Sequence, residues 1–267
     1  MINVNECRIM CTVMELKKKL MLIFLVLVMV VGVIFFNNKR TDGLCVLGYH
    51  GVVSDEEKKT LYKDDVYTLA ISDFERHMKY LYDHGYKTYT MDEVYQYMMG
   101  DKELDEKAVV LTFDDGYKNF NEYVVPVTEK YNMHATCFVI GKHMYDDKEK
   151  FLKEEDMINS PYASYYSHSY NLHRKSKNGF DRKIIEDLSL EEIDKDFKTK
   201  GADASYFAFP YGRSVEGIEN ILKDNHVKLA FSYNQFRHMN RKDNIYYLPR
   251  YMIVDMMPDI YLKWVLG

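Results

Sequence analysis

No two cysteines in this 267-residue chain have CxxC spacing. The four stand at positions 7, 11, 45 and 137, which indicates neither a zinc knuckle nor a disulfide framework and leaves only a Cys45–Cys137 bridge open. Internal repeats and low-complexity tracts are also lacking, which excludes a solenoid or a repeat array. Basic charge is missing where a nucleic-acid partner would need it. Residues 1–40 hold six basic and two acidic side chains, so of the overall charge of −5 residues 41–267 carry −9. An acidic domain of that size speaks against DNA or RNA as partner. Tryptophan occurs once, and the aromatic content rests on 24 tyrosines. Their default place is half-buried packing; stacking on carbohydrate near a cleft is the functional alternative.

A long hydrophobic run is present at one place. Leu20 to Phe36 is uncharged for 17 residues, between Lys17-Lys18-Lys19 and Lys39-Arg40. That is the short end of what spans a bilayer. A cleaved signal would have a shorter apolar core and small residues at the cut, whereas this run ends in Phe35-Phe36. The pattern predicts a cytoplasmic segment over 1–19, a single-pass transmembrane anchor over 20–36, a linker over 37–43 and a domain over 44–267 outside the cell membrane.

Within that domain, apolar strand-like runs alternate with amphipathic helical stretches about seven times. Strands are expected at 44–50, 86–90, 109–113, 135–141, 164–169, 205–209 and 227–233. Helices open at Ser72, Thr90 and Ser189, each followed three residues later by Glu in the capping-box pattern. Residues 54–70 read as a loop. Strict alternation predicts a parallel sheet, and so many units in so short a span predict closure, a distorted (β/α)7 barrel.

The strand Val109–Phe113 ends in Asp114-Asp115-Gly116. Two neighbouring carboxylates repel unless a cation sits between them or one holds a proton; a plain Asp-Gly turn is the bland alternative. His168 and His173 bear on the choice. Five residues apart, they meet one ion only if the chain bends between them, since on a helix they would diverge by about 140°. With such a bend, Asp115, His168 and His173 form a two-nitrogen, one-oxygen ligand set with open positions, the set expected for catalytic Zn²⁺, with Co²⁺, Ni²⁺ or Fe²⁺ as alternatives. Asp114 is then free to act as a base. His50 ends the strand Leu44–Tyr49 as Asp114 ends its own, and parallel-barrel strand ends share one face.

Thr112-Phe113-Asp114-Asp115-Gly116 resembles the first motif of the polysaccharide deacetylase family (carbohydrate esterase family 4, the NodB-homology domain), and His168-Ser169 with His173 is similar to its second. The resemblance covers about residues 44–255. It implies a distorted (β/α)7 barrel, a divalent metal and hydrolysis of N- or O-acetyl groups on sugars. Three departures stand out. The histidines are five apart rather than four; Ala208 precedes Phe209-Pro210-Tyr211-Gly212 where an Arg is usual; no Leu-x-His follows near the C-terminus. Together they resemble the circularly permuted branch acting on poly-β-1,6-N-acetylglucosamine, whose acid comes from an N-terminal Tyr-His, here Tyr49-His50. The resemblance thus implies Asp114 as base, His50 as acid, Asp115, His168 and His173 at the metal, and the backbone N–H of Tyr211, after Pro210, at the oxyanion. Arg250, in Leu248-Pro249-Arg250, stands in for the missing Arg by orienting Asp114. The remaining histidines read as structural. Rival readings are a peptidoglycan N-acetylglucosamine deacetylase, an O-acetyl glycan esterase, and, from another class, a catalytically silent glycan-binding module.

Overall fold

A computed structural model describes residues 17–32 and 41–267, except 234–236. The chain divides into two compact units, Met1–Thr41 and Asp42–Gly267. In the first, residues 17–32 form a helix of sixteen residues. Among the described residues no helix is long and apolar enough to cross a membrane. The expected anchor over 20–36 is corrected accordingly, and with it the single-pass placement at the cell membrane and the membrane as a partner. Residues 33–36 of the expected span lie outside the described residues.

The second unit is built on a parallel sheet. Its strands are β1 (Cys45–Tyr49), β4 (Lys87–Thr88), β5 (Ala108–Phe113), β6 (Ala135–Val139), β7 (Ala163–Ser167), β8 (Tyr206–Ala208), β9 (Leu229–Phe231) and β10 (Tyr251–Met252). The order is β10-β1-β5-β6-β7-β8-β9, with β4 beside the start of β5. β2 (Gly51–Val53) and β3 (Thr68–Ala70) pair separately. The sheet curves as a half-barrel: β10 and β9 end the strand order, and past β9 only an isolated parallel bridge, Phe231 to Leu248, continues it. This corrects the closed (β/α)7 barrel expected from the alternation. The physical reason is the connection. The edge strands are only three and two residues long, and the chain from 232 to 250 forms no helix among the described residues, so no full β–α unit bridges the gap.

Seven helices cover the sheet: α1 (Asp55–Thr60), α2 (Ile71–Asp83), α3 (Met91–Met99), α4 (Val125–Lys130), α5 (Leu190–Lys198), α6 (Ile218–Asp224) and α7 (Asp259–Leu266). Thr90 and Ser189 cap α3 and α5 through full capping boxes, and Gly100 ends α3 in the left-handed conformation only glycine adopts freely. Two expectations fail here. α2 starts at Ile71 behind Ala70 without a side-chain cap, so Ser72 lies inside it. The loop expected over 54–70 contains α1, capped by a Ser54–Glu57 box that has the same pattern as the two that were read.

The strands are apolar because helices cover them. Val109, Val110, Leu111 and Phe113 are fully buried, each worth about 1.5–3 kcal/mol of transfer free energy. Phe74, Met78 and Leu81 of α2 pack into the same core at helical spacing. Cys45 and Cys137 are both buried, and no disulfide joins them. Register then decides what emerges at the C-terminal ends. Tyr49 pairs with Phe113, and Val139 with Ser167, so the residues just beyond, His50, Asp114 and His168, leave the sheet at one edge. Tyr49 and Phe113 stack at 5.1 Å beneath them and fix that register.

Candidate active site

At that edge lies a cleft of about 360 Å³, lined by His50, Asp114, Asp115, His168, His173 and Tyr211 among others. The backbone that carries these side chains is locally forced. Asp115 has φ 75°, Ser169 φ 69° and Tyr211 φ 58°, all in the left-handed region that costs residues with a Cβ. The turn at Ser169 provides the bend that a five-residue histidine spacing requires. It is pinned by Ser169 N–H donating to Ser167 Oγ at 3.1 Å and Leu172 N–H donating to Ser169 Oγ at 3.0 Å. Gly116 follows Asp115 at φ 73°, and a Cβ there would meet Val139 at 2.7 Å, so the Asp-Asp-Gly turn admits only glycine at its third place.

Asp115, His168 and His173 converge, with ligand atoms all within 4.8 Å of one another. His173 Nε2 lies 3.3 Å and His168 Nε2 3.7 Å from Asp115 Oδ1. His168 Nδ1 sits 2.8 Å from the Ala208 carbonyl; a carbonyl only accepts, so Nδ1 carries the proton and Nε2 turns its lone pair to the cleft. Burial lowers the His168 imidazole to about 4, which keeps it neutral as a ligand must be. Asp115 Oδ1 is buried without a hydrogen bond from any protein group. An orphaned carboxylate oxygen between two imidazole lone pairs is unfavourable unless a cation completes it, and this donor set fits a divalent metal.

Asp114 faces a different environment. Arg250 donates to Oδ1 and Oδ2 from separate nitrogens, both at 2.8 Å, and Tyr233 Oη donates to Oδ2 at 2.8 Å. Burial alone would raise the Asp114 carboxyl; the Arg250 guanidinium outweighs it and holds the group well below the usual carboxylate range. Arg250 is itself fully buried and also donates to Thr112 Oγ1 at 3.0 Å. His50 lies on the same cleft, 5.1 Å from the ring of Tyr67, with Nδ1 buried and unpartnered. The Tyr211 ring stacks on His173 at 4.2 Å, and Pro210 before it is buried.

Six of the eight residues expected at the site line one cleft; Arg250 meets it through Asp114, and Pro210 adjoins Tyr211. Tyr233 and Tyr67 are additional. The strand-end rule that selected His50 and Asp114 also selects Tyr233, two residues beyond β9; nothing in the sequence marks Tyr67.

Residues 101–230 match the family described as polysaccharide deacetylase. Over 206 residues the chain is 29% identical to a poly-β-1,6-N-acetyl-D-glucosamine N-deacetylase of Staphylococcus aureus, covering 71% of this chain and 69% of that protein. Residues 101–230 of this chain thus form a polysaccharide deacetylase domain. Its class is that of a deacetylase hydrolase. The chain is also 39% identical over 123 residues to the putative polysaccharide deacetylase YxkH of Bacillus subtilis, of whose length it spans 41%. The fold is shared with IcaB from Ammonifex degensii, at a TM-score of 0.70 and 23% identity over 85% of this chain and 99% of that one. Deacetylases of this family are metal-dependent, in keeping with the Asp-His-His triad.

Proposed function

We propose that the chain removes N-acetyl groups from a β-1,6-linked N-acetylglucosamine polymer. The observation that carries this reading is the division of two adjacent carboxylates between two environments: Asp115 turned to His168 and His173, Asp114 clamped by Arg250 and Tyr233. The S. aureus relative's named substrate supports the choice of polymer. A silent glycan-binding module would have no use for an ionised buried carboxylate held this way.

Asp115, His168 and His173 hold the metal, with zinc first by its preference for two nitrogens and one oxygen with an open position. A divalent cation held there supplies Lewis acidity at the acetyl group and acidifies water, which is what a base as weak as Asp114 needs. Asp114 accepts the proton of the attacking water, and Arg250 and Tyr233 keep its oxygens aimed. His50 gives a proton to the departing amine nitrogen. The backbone N–H of Tyr211 donates to the oxyanion of the tetrahedral intermediate. Acetate and a glucosamine unit leave.

The test is acetate release from β-1,6-linked N-acetylglucosamine oligomers by the purified chain, before and after chelation and on zinc return. Release that stops on chelation and resumes with zinc supports the reading. Release that is indifferent to chelation, or absent from these oligomers but present with an acetylated xylan, overturns it.

A further inference from the structure

The hairpin that follows His173 gives the cleft a basic wall. Lys175 and Lys183 face each other across it, and Ser176 N–H donates to Arg182 O at 2.9 Å while Ile184 N–H donates to Arg174 O at 3.0 Å. Both lysines line the cleft. The Lys183 ammonium lies 4.8 Å from the centre of the Tyr211 ring, the ring that stacks on His173. It is also 3.1 Å from Asp181, but that carboxylate is shared with Arg213 at 2.6 Å. Lys175 is exposed and makes no ion pair among the described residues.

A wall of the other sign comes from the loop before β3. Asp65 lines the same cleft beside Tyr67 and His50. Its carboxylate accepts from Tyr67 N–H at 3.0 Å and Thr68 Oγ1 at 2.9 Å, and its backbone carbonyl accepts from Lys58 Nζ at 2.7 Å, so its place is fixed. The other two cleft carboxylates are engaged, Asp114 by Arg250 and Asp115 by the histidine pair. The cleft therefore carries positive charge beside Tyr211 and His173 and a carboxylate beside Tyr67 and His50.

The proposed reaction makes that asymmetry matter. Hydrolysis breaks the amide C–N bond, releases acetate and leaves an amine that takes a proton at neutral pH. A neutral N-acetyl unit thus becomes a cationic neighbour of the next unit to be cleaved. We infer that the cleft reads the acetylation state of the flanking units with opposite preferences. The unit on the hairpin side must keep its acetyl group, because Lys175 and Lys183 repel an ammonium there. The unit on the Asp65 side is accepted with a free amine. Deacetylation of a polymer then extends runs of glucosamine in one chain direction only. The inference rests on the deacetylase reading above and adds a direction to it.

The experiment uses the full chain with zinc and two isomeric β-1,6-linked tetramers. Each carries one glucosamine, on the reducing or the non-reducing side of the unit whose deacetylation is followed by mass spectrometry. The readout is the ratio of the two rates within each protein, so a general loss of activity cancels. The ratio should be about tenfold or more at low salt and shrink in about 0.5 M salt. Lys175→Gln with Lys183→Gln should bring it toward one by speeding the slow isomer relative to the fast one; Asp65→Asn should bring it toward one by slowing the fast isomer. Equal rates at low salt, or a ratio unmoved by the lysine substitutions, overturn the inference alone. No acetate from either isomer or from the fully acetylated tetramer overturns the deacetylase reading and the inference together.

Discussion

Arg250 holds both oxygens of Asp114, a residue 136 positions away, through two hydrogen bonds of 2.8 Å inside the protein. Neither partner is visible to solvent beyond 2%. Removing the guanidinium while keeping the carboxylate strands a buried charge, at a cost of about 3–5 kcal/mol. Arg250→Met is therefore expected to lower the urea midpoint sharply. Arg250→Lys keeps the charge but cannot make the paired contact, so it should fold better than Arg250→Met and still lose most turnover. Unfolding curves and acetate release on the two variants check this; an Arg250→Lys enzyme as fast as the parent would contradict it.

His173 is the most exposed member of the triad, stacked on Tyr211. His173→Ala opens the ligand set without emptying the core. Loss of a ligand should weaken zinc by more than the roughly 10–100-fold typical of a lost outer-shell partner, with little change in stability of the metal-free chain. Competition with a chromophoric chelator measures the first and urea unfolding the second. Unchanged zinc affinity would remove His173 from the site.

His50 has a buried Nδ1 without a partner and lines the cleft. As the acid for the leaving amine, its removal should cost about 10²–10⁴-fold in kcat and leave zinc affinity as it was. His50→Ala assayed on the oligomer, beside a zinc titration, separates the two effects. Full turnover would return the residue to a structural role.

His77 provides a pH dependence in the core. Burial lowers its imidazole to about 4, with Tyr49 Oη 3.4 Å from its Nδ1. The unfolded chain takes up the proton at about 6.5, so the folded state is the poorer proton binder between those values. Stability from this group is then complete above about pH 6.5 and is lost as the pH falls toward 4, by about 3 kcal/mol in all. Urea midpoints of the metal-free protein at pH 7 and pH 5 should fall for the parent and fall less for His77→Phe. Equal slopes would contradict the assignment.

Much of this site could be read from residue order because strand ends concentrate chemistry. Asp114, Asp115 and His50 follow apolar runs and His168 a strand-like one, and parallel register brings those ends to one edge. The five-residue histidine spacing signalled a bend, and Ser169 supplies it. Closure of the barrel was not legible, since alternation counts units but says nothing of whether the edge strands are long enough to pair. The apolar run at 20–36 shows hydrophobicity without helix length, and among the described residues no helix is long and apolar enough to cross a membrane. Tyr67 and the Lys175–Lys183 hairpin were invisible because loops carry no periodicity. The α1 helix is legible in the sequence, since Ser54-x-x-Glu57 is the same capping box that marks α3 and α5.

The most direct test of the account is a paired measurement on the two adjacent carboxylates. Zinc affinity and acetate release from β-1,6-linked N-acetylglucosamine oligomers are determined for Asp114→Asn and Asp115→Asn. Asp114→Asn should bind zinc as the parent does and lose about 10²-fold or more of its turnover, while Asp115→Asn should lose zinc and turnover together. An Asp114→Asn protein that turns over at the parent's rate, or an Asp115→Asn protein that keeps its zinc, would contradict it.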